Sequence, residues 1–554
     1  MRCLLLLLTA PVQAQEAQPA PLAWDAQRAE HLLNRAGFGG NSAAVARLVA
    51  LGPEAAVEEL LTVDPWVEEP FYARKRADGD LGKYVRSLPE EEREMRMREL
   101  REGDRAQVDD FLEWWVARML AGANPLRERM VLFWHGHFTS SMEAVKSSYE
   151  MIQQNQMFRR HALASFRELL HGVARDPAML VYLDNTSSKK GHPNENFARE
   201  LLELYTLGLG NYTEEDVREV ARAFTGWSQR NGRFRFEEGR HDKGKKSVLG
   251  KSGRLGGAEV VEVLLKQAAC ARHVAGALLA YFEGREPAPE RLASYASELR
   301  DSGYRIDGFL RRLFLDPEFY ADEVLAARVS SPLDYLVGSA RRLGVAPDPG
   351  LVVLGASLLG QRLFYPPSVR GWEGGEAWAA GTSLLVRGQL AGLFLGVVSG
   401  KELVGALQEE RAAAAAEEPP AMDGEASAME GEPPAMDDEA RAKRAKLARK
   451  RREKLPEELR ELARAEHFPR LNLVQRLGHA GAEQDADLAQ ALVEECLAIP
   501  APAALVARVA LRLEGERARL ELGATPWSEV PEEAEPFLRA LAHEILASPE
   551  AQLD

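Results

Sequence analysis

Apolar residues recur at helical spacing along most of the chain, and strand-like alternation is rare. The stretch "AEHLLNRAGFGG" begins with an amphipathic stripe and stops at Gly37, Gly39 and Gly40. "VDDFLEWWVARMLAGANPLRERMVLFWHGHF" reads as two helices broken at Asn124-Pro125, with Pro125 in the first turn of the second. "GRFRFEEG" alternates aromatic and charged side chains and predicts one arm of a hairpin. Asp176, Asp316 and Ser548 each precede a proline and are placed to cap the next helix. From Asn194, "NENFARELLELYTLGLG" follows Pro193, which ends the preceding segment. Asn194 is a good cap. Phe197, Ala198, Leu201, Leu202, Leu204 and Tyr205 share one helical face, Glu195, Asn196, Arg199, Glu200, Glu203 and Thr206 share the other, and Gly208 and Gly210 end the helix. The fold class that follows is mainly α: a multi-helix globular core with few short strands, a disordered acidic linker and a small helical C-terminal segment.

The pattern changes after residue 408. Residues 409–440 are acidic, rich in alanine and proline, and contain "PPAMD" twice, the composition of a disordered linker. Residues 441–466 hold the basic stretch "RAKRAKLARKRREK", read as a solvated basic helix or a contact for an anionic surface, and residues 467–554 return to helical patterning. The core is then 25–408. At the other end, Arg2, the apolar run Leu4–Leu8 and the small residues near Ala14 match a secretory signal peptide over 1–14. Export to the periplasm, cell envelope or outside of the cell is the expectation. No segment reads as a transmembrane helix. Of three cysteines, Cys3 leaves with the signal; Cys270 and Cys496 could pair, though nothing requires it. A formal net charge of −15 argues against a nucleic-acid partner.

In order along the chain come "LLNRAGFGG", "FWHGHFTSS", "DPAMLVYLDN", "NENFARELLELYTLGLGNYTEEDVREVARAFTGW", "HDKGKKSVLG", "SPLDYLVGSARRLG" and "LGQRLFYPPSVRGWEGGEAW". Together they resemble the bacterial family catalogued as domain of unknown function 1800 (DUF1800), over roughly residues 29–398 and again near the closing "SPEAQL". The resemblance implies a mostly helical, often exported bacterial protein. It also implies a partner: such proteins are often encoded beside a second exported family, DUF1501. "WHGHF" has Gly136 where relatives often carry asparagine, and the acidic linker resembles an insertion.

Candidate chemistry gathers in the family-like segments. The polar face of the Asn194 helix, centred on Asn196, Glu200 and Glu203 and flanked by Asn194 and Arg199, is either a binding surface or an ordinary solvated face. His135 and His137, if extended, would point both rings to one side and suit a divalent metal; they suit aromatic packing equally. Glu200, Glu203, His241 and Asp242 would supply further ligands or an acid–base pair to activate water. Lys243, with Arg240, Lys245 and Lys246, forms a local cationic cluster for an anion, or an exposed loop. Trp372, Trp378, Arg370 and Glu373 resemble a sugar-stacking surface, or a loop pinned by aromatics over the core. GxSxG, HExxH, P-loop and dinucleotide fingerprints are absent. The expectation is a hydrolase-type enzyme with a His/Glu/Asp polar or metal site; the alternative is a non-catalytic envelope protein binding a DUF1501-like partner or a polysaccharide.

Overall fold

The computed structural model describes residues 22–64, 71–74, 80–417, 471–479 and 484–554. The stretch expected to be a signal peptide, most of the acidic segment and the whole basic segment lie outside these residues. The described part is mainly α, with two small two-stranded antiparallel sheets. Among the described residues no helix is long and apolar enough to cross a membrane.

The centre of the fold is the helix pair Glu90–Ala121 and Pro125–His137, broken where Asn124 takes a left-handed backbone and Pro125 starts the second helix. The second helix is buried nearly all round, so its polar groups must find partners inside. Glu128 does so with the Arg118 Nε–H (3.1 Å), the Trp115 indole N–H (3.1 Å) and Arg159. Arg129 pairs with Asp334 on the Pro332–Leu343 helix and caps the Asn34 carbonyl at 3.0 Å. Removing one partner from such a buried set costs about 3–5 kcal/mol, because the other charge is left uncompensated. The core therefore depends on keeping these polar groups matched.

Proline-preceding caps behave as expected at two of three corners. Asp176 accepts the Met179 N–H at 2.8 Å and starts the Pro177–Tyr182 helix; Asp316 accepts the Glu318 N–H at 3.0 Å. Asp176 is buried, and that burial pushes its carboxyl up to about 7; Gln154 donates to it at 2.8 Å. Ser548 departs from the expectation. Its side chain makes no capping bond to the following turn. The predicted hairpin arm pairs as β2 (Arg233–Phe236) with β1 (Trp227–Arg230). Asn231 and Gly232 form the two-residue turn, both at positive φ, the geometry that this dipeptide favours.

The chain after residue 470 packs onto the core. Arg342 donates to the Cys496 carbonyl, Asn34 to the Ala498 carbonyl at 2.8 Å, and Arg476 Nη2 to the Arg342 carbonyl at 2.6 Å. Asp554 is held by Arg328 through two bonds of 2.8 and 2.6 Å. Cys270 and Cys496 are both free and buried.

Candidate functional site

His135 and His137 lie on a helix, the Pro125–His137 element, and not on an extended segment. Two residues along a helix rotate the side chains by about 200°, so the rings leave on different faces. His135 is enclosed by Trp115, Phe364 and Trp372, and its Nε2 accepts the Phe364 backbone N–H at 3.2 Å. In the neutral ring that bond uses the only lone pair a metal would need. Burial lowers its pKa to about 4, which keeps the ring neutral. His137 turns the other way. Its Nε2 lies 3.2 Å from the Tyr205 carbonyl, and its ring stands beside Phe133 and His273. The geometry does not bring the two histidines together as a metal pair. Among the described residues no group of three or more His, Cys, Asp or Glu side chains is placed to hold a metal ion.

Asn194 caps the Glu195–Leu202 helix as its sequence predicts, accepting the Asn196 N–H at 2.8 Å and donating to the Asp184 carbonyl at 3.0 Å. Phe197, Ala198, Leu201 and Leu202 face the core. The helix then widens into a π-helical turn, Glu203–Leu207, before Gly208. Its polar face divides into two. Arg199 forks onto Glu214 at 2.7 and 2.8 Å, with Glu195 at 3.7 Å, an exposed structural pair; Asn196 is exposed. Glu203 turns inward, accepting from the Tyr212 hydroxyl and from Arg370 Nη2, both at 2.8 Å. Half-buried Glu200 is raised in pKa, first by burial and then by the neighbouring Glu203 charge. Glu200, Glu203 and Arg370 therefore share one neighbourhood.

His241 and Asp242 belong to another place and are not paired with each other. His241 Nδ1 meets the Thr225 carbonyl at 2.9 Å. Asp242 accepts from Arg222 Nε at 2.9 Å and from the Gly244 N–H at 2.8 Å, and the Arg222 bond holds its pKa down at about 2. Chain adjacency places the two side chains on different partners, so this dyad is a structural clasp on the hairpin loop. The cationic cluster is also dispersed. Lys243 pairs with Glu238 at 2.6 Å, Arg240 with Glu237 at 3.2 Å, and buried Lys246 donates to the Asp242 and Gly244 carbonyls.

Beside Arg370 and His137 lies an open cleft of ≈ 860 Å³. Its floor is the end of the Pro125–His137 helix, with Phe133, Gly136 and His137. One wall is Tyr281, Arg285 and Glu286 at the end of the Ala268–Glu283 helix; the opposite wall is the loop Val369–Trp378, with Arg370, Trp372, Glu373, Glu376 and Trp378. Arg328 and Asp334 reach it from the buried network. Of these charges, Arg370, Arg328 and Asp334 are paired within the protein, whereas Arg285, Glu286, Glu373 and Glu376 have no ion pair among the described residues. The loop is seated by Gly371, at φ +82°; a Cβ there would lie 2.9 Å from the Gly136 carbonyl oxygen. Trp372 and Trp378 are partly buried, Trp372 against the core, and both line the cleft. Tyr281, Arg285 and Glu286 were missed by sequence reasoning; nothing in the motif-poor stretch around them marks a site.

Helical core, short sheets and an aromatic-lined cleft define a mainly α protein. The chain belongs to the family described as "Protein of unknown function (DUF1800)", whose sequence model matches residues 31–553. No curated protein and no solved structure matches the chain.

Proposed function

We propose that this chain is an exported carbohydrate-binding protein and that a polysaccharide, rather than a DUF1501-like neighbour, occupies the cleft. The observation that carries the reading is the pair of partly buried indoles, Trp372 and Trp378, that both line a cleft of ≈ 860 Å³. Indole faces stack on the apolar faces of pyranose rings, while unpaired charged groups at a rim hydrogen-bond hydroxyls. Arg285, Glu286, Glu373 and Glu376 supply such groups. Calorimetric titration with cellotriose, maltotriose, tri-N-acetylchitotriose and trigalacturonate tests it. Binding of at least one, weakened by Trp372→Ala and Trp378→Ala, supports the reading; no binding of any overturns it.

A second reading, hydrolysis, is favoured by one observation. Glu200 is a half-buried carboxyl with a raised pKa beside a second carboxyl, the arrangement a general acid needs. It stands behind Arg370, whose side chain joins Glu203 to the cleft wall. Glu200→Gln should abolish release of reducing ends from a bound oligosaccharide while leaving its binding intact; full activity in that variant would end this reading.

A further inference from the structure

The π-helical turn Glu203–Leu207 ends a helix, so its carbonyls run out of helical N–H donors. The Gly208 N–H returns to the Glu203 carbonyl at 3.1 Å. The next two carbonyls are taken by imidazoles: Leu204 by His273 Nε2 at 2.8 Å and Tyr205 by His137 Nε2 at 3.2 Å. A carbonyl oxygen only accepts, so Nε2 carries the hydrogen in both rings. In neutral His137 this leaves Nδ1 as a bare lone pair. No polar group among the described residues occupies that nitrogen, and His137 lines the cleft. The ring is held in place by Phe133, near parallel at 5.8 Å, and by Phe138, edge-on at 4.7 Å. Burial, reinforced by His273, lowers the His137 pKa to about 3, so the ring stays neutral at ordinary pH. His135, two residues earlier, has the opposite arrangement, its Nε2 accepting from a backbone N–H. The two histidines are thus separate devices, one closed within the core and one open to the cleft.

We infer that His137 Nδ1 is the hydrogen-bond acceptor that reads a hydroxyl, or a comparable neutral donor, of the saccharide in the cleft. The inference rests on the carbohydrate reading and deepens it. A fixed, neutral acceptor rewards a donor and disfavours a ligand carboxylate or phosphate at the same point, where two lone pairs would face each other without a proton. His137 thereby discriminates among ligands, while the indoles accept any pyranose face.

The test uses the full chain labelled with ¹⁵N in histidine, the four trisaccharides named above, and the variants His137→Phe and His137→Gln. Imidazole nitrogen spectra of the free protein should show His137, identified by its loss in the variants, as the Nε2–H tautomer. A bound neutral trisaccharide should move the Nδ1 resonance upfield, as hydrogen-bond acceptance does. His137→Phe should weaken that binding by about tenfold, and His137→Gln, which keeps a donor and an acceptor, should recover part of it. An Nδ1–H tautomer, an unmoved Nδ1 resonance on binding, or trigalacturonate binding best would overturn the role of His137 and leave the carbohydrate reading standing. If no trisaccharide binds the unaltered protein, both fall. The spectra are read on that protein, so a variant that fails to fold does not decide the result.

Discussion

The segment from Asp176 to Val248 and the loop from Val369 to Trp378 use polar residues in opposite ways. The first is dense in family-like motifs, and its ionisable groups are turned largely on itself: Asp176 on a helix start, Arg199 on Glu214, Asp242 on Arg222, Lys243 on Glu238, Lys246 on two carbonyls. The second is short, half-exposed and glycine-seated, and it leaves Glu373 and Glu376 unpaired beside two indoles on a cavity wall. A dense signature therefore marks where the chain bonds to itself. Capacity for a ligand lies where polar groups have no internal partner and an apolar surface stands next to them. Glu203 joins the two regions, through Arg370.

The contrast can be broken in stages. The largest effect is expected at Asp176, whose carboxyl rises from 3.8 to about 7 on folding. The unfolded chain gives up this proton first, so the stability it contributes is complete below about pH 4 and is lost as the pH climbs through 7, on the order of a few kcal/mol. Urea unfolding at pH 5 and pH 8 should show that slope in the natural chain and its loss in Asp176→Asn, with saccharide binding unaltered. Asp242→Ala removes the acceptor of Arg222 and of the Gly244 N–H and should cost about 2–3 kcal/mol of stability without touching binding. Lost binding at unchanged stability would erase the distinction between the regions. The double variant Trp372→Ala, Trp378→Ala should weaken binding by about 2 kcal/mol, roughly thirtyfold in Kd, and Trp378→Ala alone should weaken it with a nearly constant melting temperature, whereas Trp372→Ala also lowers stability because that ring packs on His135. Glu203→Gln frees Arg370, whose side chain is 65% exposed, so calorimetry should register less than about 1 kcal/mol in binding. Lys243→Ala, in an exposed pair with Glu238, should leave both measurements unchanged.

Helix positions were legible in the sequence because capping and periodicity are local. Asn124-Pro125, the Asn194 cap, the apolar face from Phe197 to Leu202 and the stop at Gly208 all follow from residues within a few positions of one another. The cleft was legible where one loop carries it, as with Arg370, Trp372, Glu373 and Trp378, and at His137, which the sequence offered as a metal ligand. What failed was assembly over distance. His135 and His137 look paired on an extended strand and separate on a helix, and the run of apolar residues before them does not distinguish the two. His241 and Asp242 are neighbours in sequence, yet Thr225 and Arg222 claim them individually. The far wall at Tyr281, Arg285 and Glu286 is ordinary helix-end sequence, and only tertiary packing turns it toward Trp372 and Trp378.

At Gly371 the cleft loop meets the end of the Pro125–His137 helix backbone against backbone, with no room for a side chain. Position and chemistry are thereby uncoupled. The exposed residues beyond Trp372, from Glu373 to Glu376, can be exchanged like a cassette while that contact keeps the loop seated. Variation in what such a cleft accepts would then be written in those few residues, with the scaffold beneath them left alone.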